Sequence, residues 1–270
     1  MSNIGLAQRR ITLLTDYGTR DGFAAAMRGV IASIAPDAIV EDATHDIPPG
    51  DILAGAWALC TYSMMFPPGT IHVAIVDPAA GSGQRALAAR AGGQIYLAPD
   101  NGLLSRVLET DSEIVEVQDR AYRRDPVSAT FHGRDVFAPA AAHIARGVGI
   151  DQLGPRAVGV VRLDLPQPVR TDNDIIGEIV HIDRFGNLIT NIPASWTSDL
   201  DESAVHVSVG DIVASMGKTY ATVPSGSALV YIGSERVLEI AVRDGNAAAE
   251  MGVERGARVI LHHRGAAPDQ

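Results

Sequence analysis

Hydrophobic and polar positions follow two different periods in the two parts of this chain. Before Gly154, short apolar runs alternate with segments whose apolar residues recur at helical spacing. Strands are predicted at residues 11–15, 38–41 and 71–76, with helices between them at residues 21–35 and 51–64. This alternation is typical of an α/β fold, in which helices cover both faces of a largely parallel sheet.

The same pattern continues beyond Arg85 with shorter elements. Strands are predicted at residues 86–90, 94–98 and 114–117, and helices at residues 103–108 and 136–146. The last helix directly follows a polar segment that contains His132 and Gly133. These two residues are therefore expected at a helix N-terminus, where free N–H groups favour a negative or electron-rich ligand.

From Ile175 onward the helical period is nearly absent. Short β-type runs, separated by typical turn residues, lie at residues 175–182, 188–191, 204–209, 211–214, 228–232, 237–241 and 257–262. A proline-punctuated stretch at residues 154–170 separates the two patterns. We therefore predict an N-terminal α/β domain at residues 1–165 and a C-terminal, mainly antiparallel β-barrel domain at residues 170–270.

Composition narrows the classes of partner. The 270 residues carry a formal net charge of -10 at pH 7, which repels phosphate backbones and anionic membrane surfaces. No run of about 18 apolar residues occurs, and the first apolar run is too short for a signal peptide. We therefore expect a cytoplasmic protein that binds neither nucleic acid nor membrane.

Motifs for metals and phosphates are missing from the sequence. The eight histidines are scattered, and neither CxxC nor HExxH spacing occurs, so we expect no metal site. A Walker A loop and a G-x-G-x-x-G loop are also missing, which leaves nucleoside binding by other means open.

The sequence changes at Asp77 from an apolar run to polar and small residues. Apolar residues up to Val76 indicate a strand buried on both faces, and Asp77-Pro78 ends it. Ligands of open α/β sheets bind at the carboxyl ends of the strands, where this carboxylate is expected. The loop that follows, AAGSG, is too small to fill the space beside it, which predicts a pocket.

Asp16, His132 and Asp183 lie at comparable ends of predicted elements. Taken singly, each has a common structural explanation, as a cap, a loop residue or a turn residue. Arg85 alone would more often be a surface or ion-pair residue. Their coincidence at the predicted ligand-binding edge favours a functional site.

Six sequence blocks carry a family resemblance. In order, they read TDYGTRDGFAAAMRGVI, THDIPPGDI, FPPGTIHVAIVDPAAGS, LAPDNGLLS, TFHGRD and IDRFGNLITNI. Together they resemble the S-adenosyl-L-methionine (SAM) hydroxide adenosyltransferases, also called SAM hydrolases, which are relatives of the SAM-dependent fluorinase and chlorinase. The resemblance implies an N-terminal α/β domain, a C-terminal β-barrel, and a homotrimer. It places each active site between the N-terminal domain of one subunit and the C-terminal domain of its neighbour.

The reaction that the resemblance implies is attack of water on C5′ of the SAM ribose, which releases L-methionine and adenosine. The family's water-handling residues match Asp77, Arg85 and His132 here. Asp77 and His132 would accept hydrogen bonds from the water, and Arg85 would fix the Asp77 carboxylate. An adjacent guanidinium would also make that carboxylate a weaker base. SAM is then the substrate, and no cofactor or metal is implied.

For the nucleoside, the resemblance assigns Asp16 to the ribose hydroxyls. It assigns Phe185 and Asn187 to the adenine and its surroundings, and backbone groups from Asn246 to Ala248 to the adenine as well. Aromatic residues in short strands usually belong to the core, so a core position remains an alternative for Phe185.

For the methionine end, the resemblance assigns Asp183 to the ammonium group and the Ser234-Glu235 turn to its surroundings. Two positions depart from the family pattern. Gly50 stands where a larger polar residue is expected, and Ala79 replaces the first glycine of the loop after Asp77-Pro78. Detailed substrate contacts near these positions are therefore expected to differ.

Two other functions remain as alternatives. A SAM-dependent halogenase would use the same fold, but that branch carries other residues at the positions of Asp77 and His132. A SAM or adenosine sensor would bind the same ligand without turnover.

Overall fold

The computed structural model describes residues 10–198, 200, 205–210 and 212–263. The chain divides into two compact units, Met1–Leu163 (unit 1) and Asp164–Gln270 (unit 2). Among the described residues, unit 1 has two hydrophobic cores and unit 2 has one. The strands predicted at residues 204–209 and 211–214 begin outside the described residues.

Unit 1 alternates strands and helices. Its strands are β1 (Arg10–Thr15), β2 (Ile39–Thr44), β3 (Ile71–Ile75), β4 (Ala86–Ala91), β5 (Gln94–Pro99) and β6 (Glu113–Glu116). Its α-helices are α1 (Phe23–Ile34), α2 (Ile52–Ser63) and α3 (Ala138–Ala145), and a π-helical turn, Gly133–Phe137, runs directly into α3. Within the described ranges, no helix is both long enough and apolar enough to cross a membrane.

One sheet joins these strands in the order β2-β1-β3-β5-β4-β6. Strands β1, β2, β3 and β5 run parallel, whereas β4 and β6 pair antiparallel with their neighbours. The prediction of a largely parallel sheet is therefore confirmed. Strand β3 lies between β1 and β5, and all its residues are buried, as expected of a strand with both faces covered.

Successive residues of the central strands pack into cores on opposite faces of the sheet. Leu13 and Ile75 belong to the core that contains residues of α1 and α3. Leu14 and Val76 belong to the core that contains residues of α2. The carboxyl ends of β1 and β3 are therefore held between two packed layers, which fixes the residues that follow them.

The prediction of a helix at residues 103–108 is wrong. This segment forms turns instead, with hydrogen bonds from the Ser105 N–H to the Gly102 carbonyl (2.9 Å) and from the Leu108 N–H to the Leu104 carbonyl (3.1 Å). Leu103 and Leu104 are buried in the α2-side core. Their apolar spacing therefore reflects core packing and not a regular helix. Helix α1 also begins two residues later than predicted, without a side-chain cap.

Unit 2 is antiparallel in every ladder among its described strands. The strands are β7 (Val169–Arg170), β8 (Asp174–Ile182), β9 (Leu188–Pro193), β10 (His206–Val209), β11 (Ile212–Ser215), β12 (Ala228–Ile232), β13 (Val237–Val242) and β14 (Arg258–His262), with a short helix α4 (Ala247–Met251). Their order is β11-β10-β14-β8-β9-β13-β12, with β7 beside β8. A bridge between Met216 and Val230 brings the two ends together, so the predicted barrel-like domain is confirmed.

Gly55 lets α2 lie close to the end of β3. A Cβ at this position would lie 2.9 Å from Val76 Cγ2 and 2.8 Å from Leu103 Cδ1, which is closer than carbon atoms normally approach. We expect Gly55→Ala to lower the free energy of unfolding by about 1–3 kcal/mol, the usual cost of overpacking, although Ala is the better helix former. Urea denaturation would measure the change.

Gly29 in α1 offers the matched control, because a Cβ there meets no atom within 4 Å. Gly29→Ala should raise the free energy of unfolding by up to about 1 kcal/mol. Equal effects of the two substitutions would show that the close approach of α2 to β3 does not matter for stability.

Candidate active site

Asp77 lies two residues beyond β3, at the carboxyl edge of the sheet in unit 1. The residue is half-buried, and its Oδ1 atom is buried without a hydrogen-bond partner among the described residues. Burial raises the pKa of Asp77, and the charge of Asp16 raises it further. The Ala79 N–H and the charge of His132 act in the opposite direction. The result is a carboxylate that binds a proton more readily than a free one.

Asp16 lies beside Asp77 because β1 and β3 are adjacent parallel strands. Its backbone N–H donates to the Ile75 carbonyl (3.3 Å), and its Oδ2 accepts from the Gly50 N–H (2.9 Å). Gly50 has a positive φ of 75°, a conformation that glycine adopts without strain. The departure from the family pattern at Gly50 therefore leaves a backbone contact that holds Asp16.

Tyr17 lies within electrostatic reach of Asp16 and Asp77, and it was not among the predicted site residues, although it directly follows Asp16. Burial raises its pKa, and the charges of Asp16 and Asp77 raise it further. A Cβ at position 133 would lie 2.7 Å from the Tyr17 hydroxyl, so Gly133 makes room for it. The Tyr17 ring packs edge-on against Phe131, with ring centroids 5.9 Å apart. The position after Asp16 in the TDYG block was the signal that could have identified it.

His132 immediately precedes the π-helical turn that leads into α3. This agrees with its expected place at a helix N-terminus, although the first turn is π-helical and not α-helical. Its charge lowers the pKa of Asp77, so the two side chains lie within electrostatic reach of each other. His132 and Arg85 also line one cavity of about 330 Å³. The structure thus groups His132 with both other predicted catalytic residues.

The guanidinium of Arg85 does not bind Asp77, contrary to the role expected for it. Its Nε and Nη2 donate to Asp100 Oδ2, and its Nη1 donates to Glu116 Oε1 (2.9 Å). Nη1 and Nη2 also donate to the backbone carbonyls of Val158 (2.9 Å) and Gly159 (3.0 Å). These contacts match the five donors of a guanidinium, so none remains for the Asp77 carboxylate.

In unit 2, Asp183 organises the turn between β8 and β9. Its Oδ1 accepts from the N–H groups of Phe185 (2.8 Å) and Asn187 (2.9 Å), and its Oδ2 accepts from Asn187 Nδ2 (2.8 Å). The structural explanation of Asp183 as a turn residue therefore holds. Phe185, at the tip of this turn, is 74% exposed, so it is not a core residue of unit 2.

A chain of hydrogen bonds leads from Asn187 into the barrel. Asn187 Nδ2 donates to the Tyr220 hydroxyl (3.3 Å), which lies 2.8 Å from the Tyr231 hydroxyl. Tyr231 donates to Glu239 Oε2 (2.7 Å). None of these three residues was predicted as a site residue. Tyr231 and Glu239 lie in ordinary β-type runs, where strand pairing places them opposite each other, and Tyr220 lies in a 3-10 turn between strands.

Ser234 and Glu235 lie between β12 and β13, with Ser234 Oγ 3.5 Å from Glu235 Oε1. Burial raises the pKa of Glu239, and the charges of Asp183 and Glu235 raise it further. Three carboxyl groups thus act on one another in this region. A cation near them would relieve their mutual repulsion.

The expected backbone groups of Asn246 and Ala248 are already engaged. The Ala248 N–H donates to the Gly186 carbonyl (3.0 Å), and the Asn246 N–H donates to Glu250 Oε1 (3.0 Å). A Cβ at Gly186 would overlap the Asn246 side chain. These residues therefore fasten α4 to the turn that carries Phe185, and neither N–H group is free for a ligand.

Family comparisons match both units. The SAM hydroxide adenosyltransferase N-terminal domain family matches residues 11–154, and the C-terminal domain family matches residues 177–260. A protein of Salinispora arenicola named (R)-S-adenosyl-L-methionine hydrolase is 38% identical over 251 residues, which cover 91% of this chain and 95% of that protein. A protein of Actinoplanes sp. named fluorinase is 30% identical over 225 residues, which cover 72% of this chain and 74% of that protein.

A solved structure is also similar. The crystal structure of an uncharacterized conserved protein from Thermotoga maritima superimposes with a TM-score of 0.86 at 33% sequence identity. The match covers 94% of this chain and 100% of that chain.

Proposed function

Because this chain belongs to the SAM hydroxide adenosyltransferase family, we propose that it hydrolyses SAM to adenosine and L-methionine. The relative from Salinispora arenicola is named for the (R) epimer, so (R)-SAM is the proposed substrate. One structural observation carries the proposal. The half-buried carboxylate of Asp77, with one oxygen lacking a partner among the described residues, lies at the sheet edge within electrostatic reach of His132.

The reaction requires the protein mainly to place the attacking water correctly relative to C5′. A new C5′–O bond forms as the C5′–S bond breaks, and its electron pair leaves with the sulfur as the neutral thioether of methionine. The water loses one proton, so the balance is SAM⁺ and water giving adenosine, methionine and H⁺. Sulfonium leaves without protonation, so the reaction needs neither a metal nor an organic cofactor. The water has to lie in line behind C5′, about 3–3.5 Å away.

Asp77 and His132 are the proposed partners of this water. Asp77 Oδ1 accepts one O–H, which directs an oxygen lone pair toward C5′, and the imidazole of His132 accepts the other when it is neutral. Because burial and Asp16 raise the pKa of Asp77, it is a stronger base than an exposed carboxylate. The expected weakening by Arg85 does not apply, since that guanidinium binds other residues. The released proton passes to Asp77 or His132 and then to solvent.

Arg85 remains a proposed catalytic residue, but it does not fix the Asp77 carboxylate as expected. It lines the same cavity as His132, so its positive charge adds to the field in which the water reacts. Its hydrogen bonds also tie together the ends of β4, β5 and β6. It acts through charge and position, because its N–H groups already have acceptors.

Asp16 is the proposed partner of the ribose. Its Oδ2 accepts the Gly50 N–H, and an ionised carboxylate has about four lone-pair sites in total. Enough acceptor capacity remains for the two vicinal ribose hydroxyls.

Unit 2 supplies the proposed contacts for the two ends of the substrate. The exposed Phe185 ring offers a stacking surface for adenine, and Asn187 lies at the base of its turn. For the methionine ammonium, Asp183, Ser234 and Glu235 provide acceptors beside the buried Glu239. Asn246 and Ala248 are proposed to shape the adenine side by holding α4 against that turn.

Product analysis tests this function against its two rivals. The protein is incubated with (R)-SAM or (S)-SAM, with and without chloride or fluoride, and the products are separated by chromatography. We expect equimolar adenosine and methionine, formed faster from the (R) epimer and independent of halide. A 5′-halo-adenosine product would identify a halogenase, and binding without products would identify a sensor.

Substitution of Asp77 separates catalysis from binding. We expect Asp77→Ala to lower kcat at least about 100-fold, the lower end of the range for loss of a general base, while calorimetry shows nearly unchanged SAM affinity. As the pH falls, the activity of the wild-type enzyme should drop at a higher pH than it would with an ordinary carboxyl group. The reason is that the pKa of Asp77 is raised and turnover needs its ionised form.

Asp111→Ala is the control for this change, since Asp111 is an exposed carboxylate outside the proposed site. It should retain full turnover. If Asp77→Ala is as active as Asp111→Ala, the role of Asp77 is wrong.

We further propose a homotrimer whose sites each combine unit 1 of one subunit with unit 2 of another, as the family resemblance implies. Phe185→Ala and Asp77→Ala subunits are each impaired, but trimers assembled from equal amounts of both by co-expression should be active. Random assembly makes about a quarter of the sites intact if they are shared between subunits. Activity no higher than the average of the two variants would contradict shared sites.

A further inference from the structure

One turn, directly after β5, reaches the neighbourhood of both Asp77 and Arg85. Asp100 and Asn101 follow Pro99, the last residue of β5. Asp100 Oδ2 accepts two N–H groups of Arg85, and Asn101 Nδ2 donates to the Val76 carbonyl (2.8 Å). That carbonyl belongs to the peptide bond that joins Val76 to Asp77. Two neighbouring side chains thus hold two different proposed catalytic residues.

Asp100 directs the guanidinium of Arg85. The Asp100 side chain is only 4% exposed, and its Oδ1 accepts the Val161 N–H (2.8 Å). The Asp100 N–H donates to the Arg85 carbonyl (2.9 Å), so backbone and side chain of Arg85 are both held by the same residue. A buried carboxylate is strongly destabilising without its cation. This requirement fixes the direction in which Arg85 points.

The Asn101 side chain hydrogen-bonds the backbone just beyond the paired part of β3. The parallel pairing of β3 with β5 covers residues 71–73 of β3, so the ladder does not reach the Val76 carbonyl. The Asn101 amide supplies that hydrogen bond instead. Its Oδ1 accepts the Leu103 N–H (3.1 Å), which leaves Nδ2 to face Val76. The backbone that leads into Asp77 is therefore positioned by a side chain.

We propose that Asp100 and Asn101 are positioning residues for the hydrolytic reaction, an inference that rests on the proposed function. Neither residue belongs to the proposed contacts with the ribose, adenine or methionine. Their removal should therefore displace Asp77 and Arg85 and lower kcat, with little effect on KM. Misplacement of a reacting group by about 1 Å can cost about 100-fold in rate.

Asn101→Asp is the sharpest variant, because it is nearly isosteric. It keeps an oxygen for the Leu103 N–H but places a second oxygen against the Val76 carbonyl. We expect kcat to fall about 10- to 100-fold, with KM changed less than about threefold. Asp100→Asn is the second variant, because it removes the charge that two N–H groups of Arg85 bind. It should lower kcat in the same way.

Asn191→Asp in unit 2 is the matched control. Asn191 also bridges two backbone groups, since its Nδ2 donates to the Pro166 carbonyl (2.9 Å) and its Oδ1 accepts the Glu178 N–H (2.9 Å). It is not a proposed site residue. This variant should show a lowered thermal midpoint with unchanged kcat.

Nuclear magnetic resonance of [15N]arginine-labelled wild-type protein provides a readout that does not depend on activity. The Nε–H resonance of Arg85 should be shifted and protected from solvent exchange by Asp100, and should lose both properties in Asp100→Asn. A freely exchanging Nε–H in the wild type would overturn the proposal for Asp100.

The kinetic outcomes separate this inference from the proposed function. If the wild type hydrolyses SAM but Asn101→Asp loses no more kcat than Asn191→Asp, or changes KM alone, the positioning role is wrong and the function stands. A wild type without SAM hydrolysis would overturn both.

Discussion

The central constraint on this structure is that the Asp77 carboxylate is held in surroundings that disfavour its charged form. Asp77 follows a strand whose residues are all buried, and it lies beside the carboxylate of Asp16. Its Oδ1 atom has no hydrogen-bond partner among the described residues. Burial and Asp16 raise its pKa, and only His132 and a backbone N–H oppose them. Such a group is costly for stability and useful for accepting a proton. The two packed layers around β1 and β3 supply the rigidity that this arrangement requires.

The remaining parts of unit 1 keep that carboxylate free. Arg85 could have neutralised Asp77, but Asp100, Glu116 and two carbonyls take its N–H groups. Its charge therefore remains near His132 without reducing the basicity of Asp77 through a direct ion pair. In unit 2, an exposed aromatic ring suits stacking on a flat adenine, and interacting carboxyl groups suit a cationic amine. The proposed water-handling residues therefore belong to unit 1, and the proposed contacts for the two ends of the substrate belong to unit 2.

The sequence allowed the fold class and the strand ends to be predicted, because buried strands and Asp-Pro or Gly turns leave clear local patterns. The positions of Asp16 and Asp77 beyond strand ends, and of His132 before a helical turn, were predicted for that reason. The partners of Arg85 could not be predicted, since the direction of a long side chain depends on residues 15 to 74 positions away. The link from Asn187 to Glu239 depends on strand register, which local patterns do not specify. At residues 103–108, core packing produced an apolar spacing that resembled a helix.

Turnover in 18O-labelled water shows which carbon the water attacks. Attack on C5′ puts one labelled oxygen in adenosine, at the 5′-hydroxyl, and releases unlabelled methionine in equal amount. Label in the amino-acid product, or adenosine without label, would contradict attack of water on C5′.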